Sequence, residues 1–259
     1  MAKTFVAALT LLLVEDGALG LDNDATAYLP QRFEPVGPVT VRSLLNHTSG
    51  LPDFFEDAAF AATWQENPGR DWDPEDLLEI SLALPRHEHG VFRYANSNYV
   101  VITLAIEAVS GRRVGEMLSR RLLDPHGLTA TAPATATIPG ALVSSADDLA
   151  NFLAALLAGE IVGESSMREM LTTVPSDWEE SQGYGLGIEQ VESLMGFERS
   201  PCGSAWGHVG LSTGTTVAFA TPDGKRQVVL WANAMLTSDA AWAALSRATW
   251  AVLCPVRAP

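Results

Sequence analysis

Residues 205–233 read AWGHVGLSTGTTVAFATPDGKRQVVLWAN, and this stretch decides the fold. Residues 205–211, 215–220 and 227–233 are short runs of β-forming composition, and TPDGKR between the last two is a hairpin turn signal. Residues 183–191 read as one further β-rich run before them. The late part of the chain is therefore expected to be an antiparallel sheet, closed by a Trp- and Ala-rich helix over residues 239–253.

Upstream the period changes from two to about 3.6. Phe5 to Val14 is apolar except for Thr10 and stops at Gly17, as a helix buried nearly all round would. The same stretch also fits a secretory signal, with Lys3 as its basic start and Ala18-Leu19-Gly20 as a cleavage site, although Glu15 and Asp16 suit that poorly. Residues 21–41 are loop-rich, with Pro30, Pro35, Gly37 and Pro38 as breakers. Thr40 caps a short helix over 41–46, after which HTSGLPDF turns the chain. PEDLLEISLAL (74–84) reads as a surface helix with acids in its first turn. Two helices follow, 97–111 and 113–127, each ending on glycine, and SSADDLANFLAALLAG (144–159) is a third, with a serine cap and a terminal glycine. Helices first, an antiparallel sheet late and one helix at the end make an α+β pattern.

Composition narrows the function classes. At 259 residues and 47% hydrophobic content the chain supports a substantial core. A net charge of −15, from 31 acidic and 16 basic residues, argues against nucleic acid as a partner, because counterion release needs clustered Lys and Arg. No apolar run reaches the roughly 20 residues of a transmembrane helix. Two cysteines, Cys202 and Cys254, permit one disulfide but neither a disulfide framework nor a thiolate metal site.

Four motifs carry chemistry or imitate it. GLSTG (210–214) fits a nucleophile elbow at Ser212, but an elbow is followed by a helix and by a downstream His, whereas a strand follows here and all 5 histidines lie upstream. RHEHG sets His87 and His89 two apart with no third ligand evident, so a loop with solvated imidazoles is expected and no metal. In YANSNY, Tyr94 and Asn96 stand where the chain enters a helix; they present a phenol and a carboxamide to one cleft, or else a buried Tyr and a helix-capping Asn. In WGHVG, His208 and Gly210 share one face of a strand, and the glycine lets a substrate lie against the strand edge.

Taken together, KTFVAALTLLLVEDGALGLD, VRSLLNHTSGLPDF, YANSNYVVITLAIEAVSG, GALVSSADDLANFLAALLAG, GYGLGI and GHVGLSTG resemble, in order, the blocks of the serine penicillin-recognising family. This family comprises AmpC-like β-lactamases, D-alanyl-D-alanine carboxypeptidases and related esterases. IPGALVSS, SQGYGLGI and AFATPDGKR are most similar to secreted actinobacterial-type DD-carboxypeptidases. The resemblance implies one catalytic unit over residues 1–259, with a nucleophile-bearing helix (1–20), a mostly helical region (21–180) and an antiparallel sheet with a C-terminal helix (181–259).

The resemblance also assigns roles. In S-x-x-K the serine stands three positions before the lysine on a buried helix, so Lys3 is that lysine and the serine is expected immediately before Met1. Met1 is thus expected to be internal to a longer protein, with the family's first strands and a secretion signal upstream, and the signal-peptide reading of residues 1–20 falls away. As given, the chain would lack its nucleophile. The serine would form an acyl-enzyme with a D-Ala-D-Ala stem peptide of peptidoglycan, a β-lactam or an ester, Lys3 and Tyr94 sharing the proton transfers. Asn96 would hold the substrate carbonyl, His208 would add local polarity at the phenol, and Gly210 with the Leu211 N–H would shape the oxyanion site. No metal or organic cofactor is implied, and the protein is expected to be a monomer of the cell envelope or exterior. A Cys202–Cys254 disulfide is expected, since in this fold the last helix lies across the sheet. Val209, where carboxypeptidases of the family have Thr, and Glu189, where a cation would suit a terminal carboxylate, keep an esterase or β-lactamase open; Arg199 is a candidate for that cation. A catalytically dead binding or interaction module is a further class that stays open.

Overall fold

The apolar stretch near Met1 forms helix α1 (Ala2–Glu15) in the computed structural model, which describes every residue except 30–38, 135–139, 179–180, 212–213 and 255–259. Pro30, Pro35, Gly37, Pro38 and Ser212, named above, lie outside the described residues. The chain forms two compact units, residues 2–143 and residues 144–259 together with Met1.

In the first unit α1 is buried on all sides, and Thr10 fits because its Oγ1 donates to the Val6 carbonyl at 2.8 Å. Gly17 ends it with φ +73°, the left-handed geometry that closes a helix. α2 (Val41–Leu45) is capped by Thr40, whose hydroxyl accepts the Ser43 N–H at 3.0 Å. α3 (Ala58–Glu66) follows, capped by Asp57; its Ala-rich sequence buries only Phe60, so no apolar stripe announces it. α4 (Pro74–Leu82) carries the expected acids in its first turn, yet it also buries Leu77, Leu78 and Ser81. α5 (Asn96–Ser110) packs against α1 and ends at Gly111, φ +65°. α6 (Val114–Leu118) is shorter than its sequence suggests, because the chain widens into a π-turn over Ser119–Leu123 ahead of Pro125, which has no N–H to continue the ladder. Strands β1 (Ala132–Pro133) and β2 (Leu142–Val143) pair antiparallel.

The second unit opens with α7 (Ala146–Leu157), capped by Ser145 as expected, and α8 (Glu164–Leu171). Strands β3 (Ser181–Tyr184), β4 (Glu189–Val191), β5 (Ala205–Leu211), β6 (Thr215–Ala220) and β7 (Gln227–Ala232) form an antiparallel sheet in that order, and α9 (Asp239–Leu253) follows. Residues 183–191 are thus not one run: the chain reverses after Tyr184, with the Gly185 N–H on the Ile188 carbonyl at 2.8 Å. A side chain on Gly185 would stand 2.1 Å from the Met170 carbonyl oxygen, an approach that only glycine allows. α7 packs on β6 and β7, Leu153 lying on Ala218 and Ala220. The opposite face carries Ala205, Val217, Phe219 and Val228 against Trp242, Trp250 and Leu253 of α9. Cys202 and Cys254 are joined in a disulfide that ties the chain ahead of β5 to the end of α9.

β4 pairs only with Ala205, Trp206 and Gly207 of β5, so among the described residues 208–211 have no strand on that side. The upper half of an otherwise central strand is an edge.

Candidate active site

Lys3 stands on the first turn of α1, and its Nζ donates to Asn96 Oδ1 at 2.7 Å. The same Nζ lies 4.8 Å from the centre of the Tyr94 ring and 5.3 Å from that of Tyr99, within cation–π range of both. Asn96 is the first residue of α5 but does not cap it; Ala95 precedes it in extended geometry with no side-chain cap. The amide is used elsewhere. Its Nδ2 donates to Asp53 Oδ2 at 2.8 Å, and the Asn96 main-chain N–H donates to the same oxygen at 2.9 Å. Burial pushes the Asp53 carboxyl above its ordinary range, against the pull of the Asn96 and Phe55 N–H groups and the Lys3 charge.

The sequence marked HTSGLPDF as a chain reversal and as part of a family block, but gave Asp53 no role. His47 of that segment is fully buried with φ +60°, and its Nδ1 accepts the Ala95 N–H at 3.2 Å, so that nitrogen carries no proton. Its ring lies 4.4 Å from the Tyr94 ring, tilted by 33°. Nearby, Ser97 Oγ accepts the Phe54 N–H at 3.1 Å, Ser49 Oγ donates to Asn98 Oδ1 at 2.5 Å, and the Tyr99 hydroxyl donates to the Leu45 carbonyl at 3.0 Å. Polar residues in a buried segment need partners, and here the N-terminal turn of α5 supplies them. The unexplained polarity of HTS and Asp53 beside apolar neighbours was the available signal.

On β5, His208 is 5% exposed and its Nε2 lies 3.0 Å from the Tyr184 hydroxyl of β3. Its Nδ1 is hydrogen-bonded to the Val209 carbonyl, which only accepts, so Nδ1 holds the proton and Nε2 accepts from Tyr184. The sequence left Tyr184, the phenol bonded to His208, unassigned. His208 and Gly210 pair across with Ala218 and Thr216, and so face the side that α7 covers. Gly210 is not crowded, the nearest atom to an added Cβ being 3.7 Å away. Leu211 is exposed at the end of the strand. Val209, by contrast, packs toward the α9 side, which explains an apolar residue there.

The remaining candidates disperse. Glu189 is buried opposite Gly207, and Arg199 is paired with Glu192. His87 is bonded to Glu56 at 3.1 Å rather than merely solvated, with Arg93 on the same carboxylate, while His89 is exposed. Among the described residues no group of three or more His, Cys, Asp or Glu is placed to hold a metal ion.

An antiparallel sheet covered by helices on both faces, and a buried-helix lysine bonded to the asparagine of a Tyr-x-Asn turn, define the class of serine β-lactamases and penicillin-binding proteins. The Beta-lactamase family model matches residues 1–249, and the chain belongs to that family. Among solved structures it is similar to a D-stereospecific amidohydrolase from Streptomyces sp., with TM-score 0.83, 28% identity, and 98% of this chain and 85% of that one covered. Among curated relatives it is 32% identical to penicillin-binding protein 4* of Bacillus subtilis over 51% of this chain and 29% of that protein. It is also 32% identical to the D-aminopeptidase of Brucella anthropi over 49% of this chain and 24% of that protein. The matched stretch thus spans less than a third of either curated relative. No helix among the described residues is long and apolar enough to cross a membrane.

Proposed function

We propose that this protein hydrolyses an amide bond on the carbonyl side of a D-amino acid through an acyl-serine, the serine standing three positions before Lys3. The observation that carries the proposal is the 2.7 Å bond from Lys3 to Asn96 with the Tyr94 ring alongside, a lysine, a phenol and a carboxamide held together as the family's chemistry requires. Lys3 and Tyr94 exchange the proton that the serine loses and the leaving amine gains. One N–H of the Asn96 amide is committed to Asp53, which leaves the other to bind the substrate carbonyl. The Leu211 N–H, together with that of the serine, stabilises the oxyanion.

The substrate class follows from two observations. The names of two similar proteins, a D-stereospecific amidohydrolase and a D-aminopeptidase, favour a D-residue on the acyl side. Val209 packs into the core and Arg199 is engaged by Glu192, so neither favours recognition of a free terminal carboxylate. A D-amino-acid amide or short D-peptide therefore suits the site better than the D-Ala-D-Ala terminus of a stem peptide, which is the second reading and is supported by the likeness to a penicillin-binding protein.

The test compares this chain with one carrying a serine immediately before Met1, each incubated with a labelled β-lactam and with D-alanine amide. The longer form is expected to gain one label by intact mass, lost on Ser→Ala, and to release ammonia from the D-amide and not from its L-enantiomer. An adduct on the 259-residue chain itself, at Ser212 or any other serine, overturns the assignment.

A further inference from the structure

Asp53 takes no part in the proton transfers just described, yet it is a carboxylate only 8% exposed, where an ionised group is costly to keep. Its two oxygens do different things. Oδ1 accepts the Phe55 N–H at 3.1 Å and so caps the short 3-10 turn Phe54–Glu56, a local role that serine fills as well. Oδ2 reaches across 43 residues of sequence to accept both the main-chain N–H and the Nδ2 of Asn96. A cap requires no such second engagement.

An ionised carboxylate only accepts hydrogen bonds. Facing Asp53 Oδ2, the Asn96 amide is stable in one of its two orientations, nitrogen toward Asp53, since the other would set oxygen against oxygen. That choice turns the amide oxygen to Lys3 Nζ. We infer that Asp53 is a positioning residue: it selects the orientation of the Asn96 amide and, through it, holds the Lys3 ammonium over the Tyr94 and Tyr99 rings. Asparagine at position 53 cannot substitute, because its NH2 would confront either the two Asn96 donors or the Phe55 N–H. Attraction between the Lys3 charge and the Asp53 carboxylate acts in the same sense. The inference rests on the reading of Lys3 and Asn96 as reacting-site residues, but the geometry it concerns is measurable without any reaction.

The chain has only two lysines, Lys3 and Lys225, and the Lys225 side chain is 81% exposed. Proton–carbon NMR of the 259-residue protein labelled at the lysine ε-carbon therefore gives two signals, with Lys225 as the solvated reference. The two aromatic rings beside Lys3 are expected to displace its signal from that reference. Asp53→Ser keeps the cap on Phe55 and Asp53→Asn keeps the size; in both, the Lys3 signal is expected to move toward that of Lys225. Asn96→Ala is expected to produce the same shift, and adding Asp53→Ser to it should change nothing further. Near-UV circular dichroism and the thermal midpoint identify which variants are folded, and either Asp53 variant suffices. A Lys3 signal that stays at its parent position in a folded Asp53 variant overturns the inference, as does an Asp53 effect that persists in the Asn96→Ala background. Failure of both Asp53 variants to fold assigns the residue to the fold instead and overturns it too. If Lys3 responds as expected but no acyl adduct forms on the serine-bearing chain, it is the functional proposal alone that falls.

Discussion

The Tyr184 hydroxyl and His208 Nε2 lie 3.0 Å apart with both residues buried, joining the strand at one edge of the sheet to the one at its centre. Both side chains are shielded from bulk water, so removing the hydroxyl forfeits a buried hydrogen bond. Tyr184→Phe is expected to cost about 1–3 kcal/mol, measured as a fall in the urea midpoint with an unchanged slope. An unchanged midpoint would show that the contact contributes nothing.

Tyr94→Phe, in the serine-bearing chain, is expected to slow acylation by a labelled penicillin at least about 100-fold, since the phenol proposed to transfer the proton is lost with little change of shape. The thermal midpoint should stay where it is. Acylation at the parent rate would make Tyr94 a structural residue only.

The buried Asp53 sets the sign of a pH effect. Its carboxyl titrates above the ordinary value of 3.8 in the folded protein, chiefly because of burial. Folding therefore favours the protonated form. The stability this confers is fully present below the unfolded value and is lost as pH rises through the folded one. Asp53→Asn removes the titration, so the stability of the parent relative to the variant should decline as pH is raised from about 3.8 upward. Urea denaturation at a series of pH values checks this, and a difference that grows with pH contradicts it.

The disulfide closes a separation of 52 residues. Unfolded, unreduced protein should show no free thiol, and reduction should lower stability by about 2–4 kcal/mol. Two reactive thiols in the unreduced protein would remove both the bond and the expectation of an extracytoplasmic home that leans on it.

Gly185→Ala places a methyl group 2.1 Å from the Met170 carbonyl oxygen, so the β3–β4 turn or the end of α8 must move. A loss of more than about 2 kcal/mol is expected by denaturation, larger than for an ordinary exposed substitution. Gly17→Ala is a useful contrast: nothing lies within 4 Å of the added carbon, and only the φ of +73° opposes it.

What the sequence by itself determined was local. The 3.6-residue spacing and serine cap of α7, the apolar run of α1, the left-handed glycines after α1 and α5, and the alternation of β5, β6 and β7 about TPDGKR all depend on neighbours within a few positions. Lys3, Tyr94, Asn96 and His208 were also nameable, because motif spacing is a property of the chain. Their partners were not. Asp53 meets Asn96 across 43 residues, Tyr184 meets His208 across 24, and Lys3 meets Asn96 across 93. No periodicity encodes such pairs; they exist only once helices and strands have packed. The same holds for the reversal at Gly185, where the Met170 carbonyl oxygen leaves no room for a side chain, and for the split of residues 183–191. It holds too for α3, whose composition carries no stripe because packing buries just one of its apolar residues. Tertiary structure decided these features because a buried polar group takes whichever partner the fold brings within 3 Å or so, wherever that partner stands in the sequence.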